Sequence, residues 1–236
     1  MARRGKLTKQ KTKDETIRPV RFRRYDHFFL IVCEDEKTEP YYFDTFVQKF
    51  PNETVFLRTI GTGKKPKGIV EQSIIEREKF SIEAKKSINE VWVVFDKDDE
   101  GNNDKTLANF NEAWTIAAEQ NIHIAFSNEV FELWLLLHFR EVSSARSIPR
   151  SGIYSNLAAA IQSFSTHEFF VYDHGKTEVI DLLLALGNEA KAIERAEKLL
   201  AEQQGKTPIE ANPSTTVHLL VKRLNDLIEW YAYSPE

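Results

Sequence analysis

Val91-Trp92-Val93-Val94-Phe95-Asp96-Lys97-Asp98-Asp99-Glu100-Gly101-Asn102-Asn103 decides the fold. Its five leading apolar residues, three of them β-branched, read as a strand buried on both faces. Asp98 to Asn103 cannot continue a strand and read as a loop. Acids therefore gather just past the carboxyl end of a core strand, the edge where open parallel sheets bind ligands. Asp96 and Asp98 are two apart, so in extended chain their side chains point the same way. Carboxylates side by side repel. A hard divalent cation with oxygen ligands, Mg²⁺ or Mn²⁺, relieves the repulsion. A solvated acidic turn is the other reading, and this stretch alone leaves both open.

The flanking chain repeats the pattern. Phe28 to Cys33 reads as a first buried strand and ends in Glu34-Asp35-Glu36-Lys37-Thr38-Glu39-Pro40, again acids at a strand's carboxyl end. Tyr41 to Phe50 has helical apolar spacing, with Pro40 suited to its first turn. Val55 to Ile60 reads as a second strand, Ile69 to about Ser87 as a charged helix, Asp104 to Glu119 as a helix and Ile122 to Phe126 as a fourth strand. Strands alternating with helices imply βαβ crossovers and a parallel sheet with helices on both faces. The ends of strands one, three and four then share one edge. Glu34 and the Asp96/Asp98 pair meet there if the strand order permits.

Other stretches carry weaker signals. Gly61-Thr62-Gly63-Lys64-Lys65-Pro66-Lys67-Gly68 is glycine-rich and basic, so it suits a phosphate cradle or a plain surface loop. It lacks the P-loop spacing. Ser127 or Asn128 is expected to cap a helix running to Phe139, apolar nearly all round and therefore buried. Glu132 inside it must be paired or ligating, because a lone buried carboxylate is very costly. His138 reads as a core or rim histidine. Beyond Arg140 the pattern becomes helical, with helices expected over Gly152 to Phe164 and Thr177 to Gln203. Phe169 to Tyr172 reads as a short extended piece, and Asp173-His174-Gly175-Lys176 as a turn bearing a cation. Asn212 and Pro213 are expected to open a last helix ending near Tyr231. The organisation expected is a basic arm (1–25), an α/β core (26–140) and a mostly helical extension packed on it (141–236).

Composition supports a packed core: 42% of the 236 residues are hydrophobic and 29% charged. The net charge of −4 hides an asymmetry, because residues 1–25 hold ten Lys/Arg against Asp14 and Glu15. The arm is thus +8 and the remainder −12. Such an arm suits phosphate contacts with nucleic acid or a disordered solubilising tail. The single cysteine, Cys33, excludes an internal disulfide and reads as a buried thiol. No apolar run is long enough to cross a membrane and no apolar signal core opens the chain, so a cytoplasmic protein with no membrane contact is expected.

Leu30-Ile31-Val32-Cys33-Glu34-Asp35-Glu36-Lys37-Thr38-Glu39-Pro40-Tyr41-Tyr42-Phe43 resembles the RloB family. So do Val94-Phe95-Asp96-Lys97-Asp98, the stretch from Ser127 through Phe131-Glu132-Leu133-Trp134 to Phe139, and Asn212-Pro213-Ser214-Thr215-Thr216. The family is regarded as related to Toprim domains, the metal-dependent module of topoisomerases, primases and OLD-type nucleases. The resemblance implies a Toprim-like mostly parallel sheet, with Glu34 as the glutamate after the first strand and Asp96 and Asp98 as the later D-x-D. It implies a role in bacterial defence against phage or foreign DNA, commonly beside a partner ATPase of the AAA or ABC type. Two positions depart from the family pattern: Asp35 stands where glycine is usual, and Glu129 where proline is usual. Asp35 raises the question of the backbone turn, since glycine is the residue that tolerates φ > 0.

The expected chemistry is metal-dependent phosphodiester cleavage of DNA or RNA. Asp96 and Asp98 hold Mg²⁺ or Mn²⁺, with Asp99 or Glu132 as further ligands. Glu34 is a general acid/base or a second-metal ligand. Lys37, Lys64, Lys65 and Lys176 are candidate phosphate contacts. Two other classes stay open: nucleotide binding or nucleotidyl transfer with the same residues, and a non-catalytic subunit docking on an ATPase. A homo-oligomer is also open.

Overall fold

Alternation along the first strand sets up two apolar layers. β1 (His27–Cys33) sends Phe28, Leu30 and Val32 to one side and Phe29, Ile31 and Cys33 to the other. A computed structural model describes residues 22–97 and 103–233, without the Arg23 side chain. The other strands are β2 (Val55–Gly61), β3 (Glu90–Asp96), β4 (His123–Asn128) and β5 (Ser214–Thr215), in the spatial order β2-β1-β3-β4-β5. The first four are parallel, and β5 is antiparallel to β4. The fold is α/β, as expected, with a helical C-terminal region.

Helices cover both faces. α2 (Pro66–Ala84) and α3 (Asp104–Glu119) pack on the Phe28 side. α1 (Thr38–Asp44), α4 (Glu132–Leu137), α5 (Arg150–Gln162), α6 (Glu178–Leu186), α7 (Glu189–Glu202) and α8 (Val217–Tyr233) pack on the other. From β1 the chain passes through α1 to β2 on one flank, then through α2 to β3 on the opposite flank. The strand order therefore reverses between β1 and β3. A crevice opens at their carboxyl ends, at the topological switch point.

Several expected boundaries move. Ser127 and Asn128 cap no helix; they are the last residues of β4, paired with Thr215 and Ser214 of β5. The Ser127 and Thr215 hydroxyls lie 3.0 Å apart, and the Asn128 side-chain amide donates to the Pro208 and Ile209 carbonyls at 2.9 Å. These partners keep the chain extended, so α4 starts only at Glu132, beyond a cis Asn128–Glu129 peptide. Asn212 likewise caps nothing: its side-chain oxygen accepts from the Ile148 N–H at 2.8 Å, and α8 starts after the short β5. The helix expected from Thr177 to Gln203 is two helices, broken at Gly187 and Asn188, where Asn188 caps α7 by accepting from the Lys191 N–H. Phe169 to Tyr172, read as a short extended piece, lies outside helix and strand. The Tyr41–Phe50 helix is instead α1, starting at Thr38, and a separate 3₁₀ turn, Val47–Lys49.

The extension is joined to the sheet itself. It supplies β5, and its helices share one apolar layer with Trp92, Val94 and Ala125. Its last helix is also tied to the amino-terminal edge of β3. Arg223 Nε donates to both Glu90 carboxylate oxygens, at 2.9 and 3.0 Å, and His27 Nε2 lies 3.2 Å from Glu90 Oε1. Cys33 is buried and unpaired, as expected. Among the described residues no helix is long and apolar enough to cross a membrane.

Desolvation pushes the Glu90 carboxyl up, but His27 and Arg223 outweigh it and hold it at about 2. A carboxyl lowered by folding adds stability above its ordinary value of 4.5, and that stability is lost as pH falls towards about 2. Arg223 is partly exposed, which screens the pair, so Arg223→Met is expected to cost about 1–2 kcal/mol at pH 7. Urea unfolding at stepped pH checks this: the difference from the unaltered protein shrinks below the ordinary carboxylate range.

Candidate functional site

The register of β1 on β3 builds the site. The Glu34 N–H donates to Val94 O at 2.9 Å, one ladder step past the end of β1. That step holds the Glu34 side chain against the end of β3, where its Oε2 accepts from the Asp96 N–H at 3.1 Å. Asp96 is the last residue of β3. Its Oδ2 accepts from the Phe131 N–H at 2.8 Å, in the turn before α4. Its Oδ1 is buried and has no hydrogen-bond partner among the described residues. Glu34 and Asp96 thus meet at the crevice, as the sequence suggested.

Sequence reasoning missed Glu39, only 2% exposed in the first turn of α1. Its Oε2 accepts from the Asp35 N–H at 3.1 Å, while Asp35 Oδ2 accepts from the Thr38 N–H at 2.6 Å. This reciprocal arrangement follows the logic of a capping box. An acid followed four residues later by Glu, just before a helix, was the available signal. The same cap answers the question raised by Asp35, which is not among the residues with positive φ. The glycine that matters is Gly61, at the end of β2. A Cβ there would stand 2.5 Å from Glu36 Cα and 2.6 Å from Asp35 O, so the acidic turn lies directly across that strand end.

Glu132 is paired, as burial required. It is 3% exposed, and its Oε1 accepts from the Tyr172 hydroxyl and lies 3.2 Å from His174 Nδ1. Burial and the Glu132 charge push the Tyr172 hydroxyl far above its ordinary range. His138 is a core histidine: its Nδ1 donates to Trp134 O at 3.0 Å, and burial lowers its pKa to about 4.

The candidate cations are spread out. Lys37, Lys64 and Lys65 are exposed, on the turns that follow β1 and β2. Lys176 pairs with Asp173 at 2.9 Å on the segment that carries His174. Lys97, next to Asp96, pairs with Glu129 at 3.2 Å. Asp98, Asp99 and residues 1–21 of the basic arm lie outside the described residues. Among the described residues no three acid, histidine or cysteine side chains form a metal-ligand group.

The family model described as RloB-like protein matches residues 29–224, a span containing both strand ends, α4 and the Tyr172–His174 segment. The chain belongs to the RloB-like family. Neither a curated protein nor a solved structure matches it.

In this RloB-like chain the acids act on one another. Burial, then the charges of Glu39, Glu34 and Glu132, push Asp96 well above the ordinary carboxyl range, against a lowering by the Phe131 N–H. Glu39 is pushed up by burial and by Glu34 and Asp35, against a lowering by the Asp35 N–H, with a smaller push from Glu132. Ionised, such groups oppose folding, so without metal the protein loses stability as pH rises from the ordinary carboxyl value through the raised one. Asp96→Asn keeps an oxygen for the Phe131 N–H and removes the charge. At neutral pH the metal-free variant is expected to melt higher, by about 2–4 °C for each kcal/mol relieved. Calorimetry across pH checks it: the gap closes towards acid.

Proposed function

We propose that the crevice between β1 and β3 is a metal-dependent phosphodiesterase centre that cleaves nucleic acid. Asp96 carries this reading: a half-buried aspartate whose Oδ1 is shut away from solvent and unpartnered among the described residues, beside Glu34 and in the field of Glu39 and Glu132. An orphaned anionic oxygen among further carboxylates suits a hard divalent ion, Mg²⁺ or Mn²⁺. Asp96 and Glu34 would hold it, with Asp98 and Asp99 the next ligands in the sequence. Bound there, the ion would polarise a phosphoryl oxygen and stabilise the leaving oxygen.

The chain's own groups have separate tasks. The Asp96 N–H fixes the Glu34 carboxylate, and the Phe131 N–H fixes Asp96, so both acids face the substrate preorganised. Lys37, Lys64 and Lys65 stand at the rim to meet a phosphate backbone, and the basic arm adds affinity through counterion release. Lys176, paired with Asp173, is a further candidate phosphate contact. The family resemblance supports a Toprim-type nuclease acting in the cytoplasm in defence against phage or foreign DNA, beside an AAA or ABC-type ATPase.

Incubation of single- and double-stranded DNA and RNA with the protein and Mn²⁺ tests the reading. Cleavage is expected to fall at least about a hundredfold in Asp96→Asn and Glu34→Gln, the scale of losing one group that acts on the transition state. Mn²⁺ is expected to raise the melting temperature of the unaltered protein and not that of Asp96→Asn. Equal Mn²⁺ stabilisation of both, or undiminished cleavage by both variants, removes the proposal. Turnover of free nucleotides without strand cleavage would favour nucleotidyl chemistry at the same residues.

A further inference from the structure

The segment between α5 and α6 meets Glu132, one residue past the Phe131 that holds Asp96, with groups that the proposed reaction leaves unused. Tyr172 and His174 both meet the same oxygen of Glu132, His174 through Nδ1 at 3.2 Å. Tyr154 of α5 also braces the imidazole, at the same nitrogen. Its hydroxyl lies 3.3 Å from Nδ1, and the two rings stack at 27° with centroids 5.7 Å apart. The Tyr154 and Tyr172 rings also touch, with centroids 5.0 Å apart. The two ends of the pair differ sharply in exposure: Glu132 is 3% exposed at the side chain and His174 62%. A buried carboxylate therefore holds one ring nitrogen of an imidazole that substrate can reach.

That arrangement has a chemical consequence. An Nδ1–H donated to a carboxylate sets the ring's tautomer and orientation and stabilises the imidazolium. The other nitrogen then suits proton transfer. The charged neighbours on the same segment, Asp173 and Lys176, pair with each other at 2.9 Å and offset one another's charge. Glu132 directly follows Phe131, whose N–H holds Asp96 at 2.8 Å, so the pair stands next to the proposed reaction centre.

We propose that His174 is the general acid of the phosphodiesterase centre, positioned by Glu132, Tyr172 and Tyr154; this rests on the reading of the site given above. Water attacks phosphorus, and the new P–O bond forms as the bond to the leaving sugar oxygen breaks. The electron pair of that bond stays on the leaving oxygen, which takes the Nε2 proton of His174. The attacking water releases its proton to solvent, and solvent reprotonates the imidazole. Glu132 thus serves the imidazole rather than the ion.

Two substrates test this in the presence of Mn²⁺. One is an oligonucleotide, whose sugar oxygen needs a proton to leave. The other is the p-nitrophenyl ester of thymidine 5′-monophosphate, whose phenolate leaves without one. His174→Ala is expected to lower kcat on the oligonucleotide about 10²- to 10⁴-fold while the ester rate stays nearly unchanged. KM and the Mn²⁺-induced melting shift should hold, because the ring is exposed and not part of the apolar core. Glu132→Gln should show a smaller loss confined to the oligonucleotide. Equal losses on both substrates, or no loss on either, overturn the role of His174 and leave the metal centre standing. If the unaltered protein cleaves neither substrate, the metal centre falls and this inference falls with it.

Discussion

One backbone contact organises the site: the Asp96 N–H on the Glu34 carboxylate. It exists because β1 and β3 are adjacent parallel strands, with Cys33 opposite Val94, so that Glu34 reaches the last residue of β3. A one-residue slip would exchange the faces of a strand buried on both sides, and the two apolar layers resist it. The position of the acids is thus secured by packing far from them. Burial supplies the rigidity that mutual repulsion among carboxylates would otherwise undo.

The second constraint comes from the carboxyl-terminal half. β5 closes the open edge of β4, and Asn128 and Asn212 spend their amides on carbonyls and N–H groups of distant loops. These bonds hold the turn before α4, which presents the Phe131 N–H to Asp96 and Glu132 to Tyr172 and His174. The extension therefore shapes one wall of the crevice. A chain ending near Arg140 would lack the partners of Glu132, leaving a buried carboxylate unsatisfied.

Much of the architecture was legible because it rests on local periodicity. The apolar runs at Phe28–Cys33 and Val91–Phe95 are too short for helices and too uniformly apolar for an exposed strand. The helix expected from Asp104 to Glu119 is α3, whose start is fixed locally by Asn103 accepting from the Lys105 and Thr106 N–H groups. Three of the failures share one cause. Ser127, Asn128 and Asn212 are good caps in isolation, and each instead found a partner eighty-odd or sixty-four residues away. Glu39 was passed over because an exposed acid beside a helix start and a buried one look alike in sequence.

By itself the sequence determined the α/β class, the strand–helix alternation, the accumulation of acids after β1 and β3, and the pairing demanded of Glu132. Those follow from side-chain period, β-branching and the cost of burying a lone charge, all properties of a short stretch. Only the tertiary structure decided that β1 lies beside β3, that Glu39 is buried near Glu34 and Asp96, that β5 exists, and that Tyr172 and His174 are the partners of Glu132. These depend on strand order and on the path of the chain between elements. Hydrogen-bond partners separated by forty to ninety residues leave no periodic trace, so nothing local distinguishes them from their alternatives.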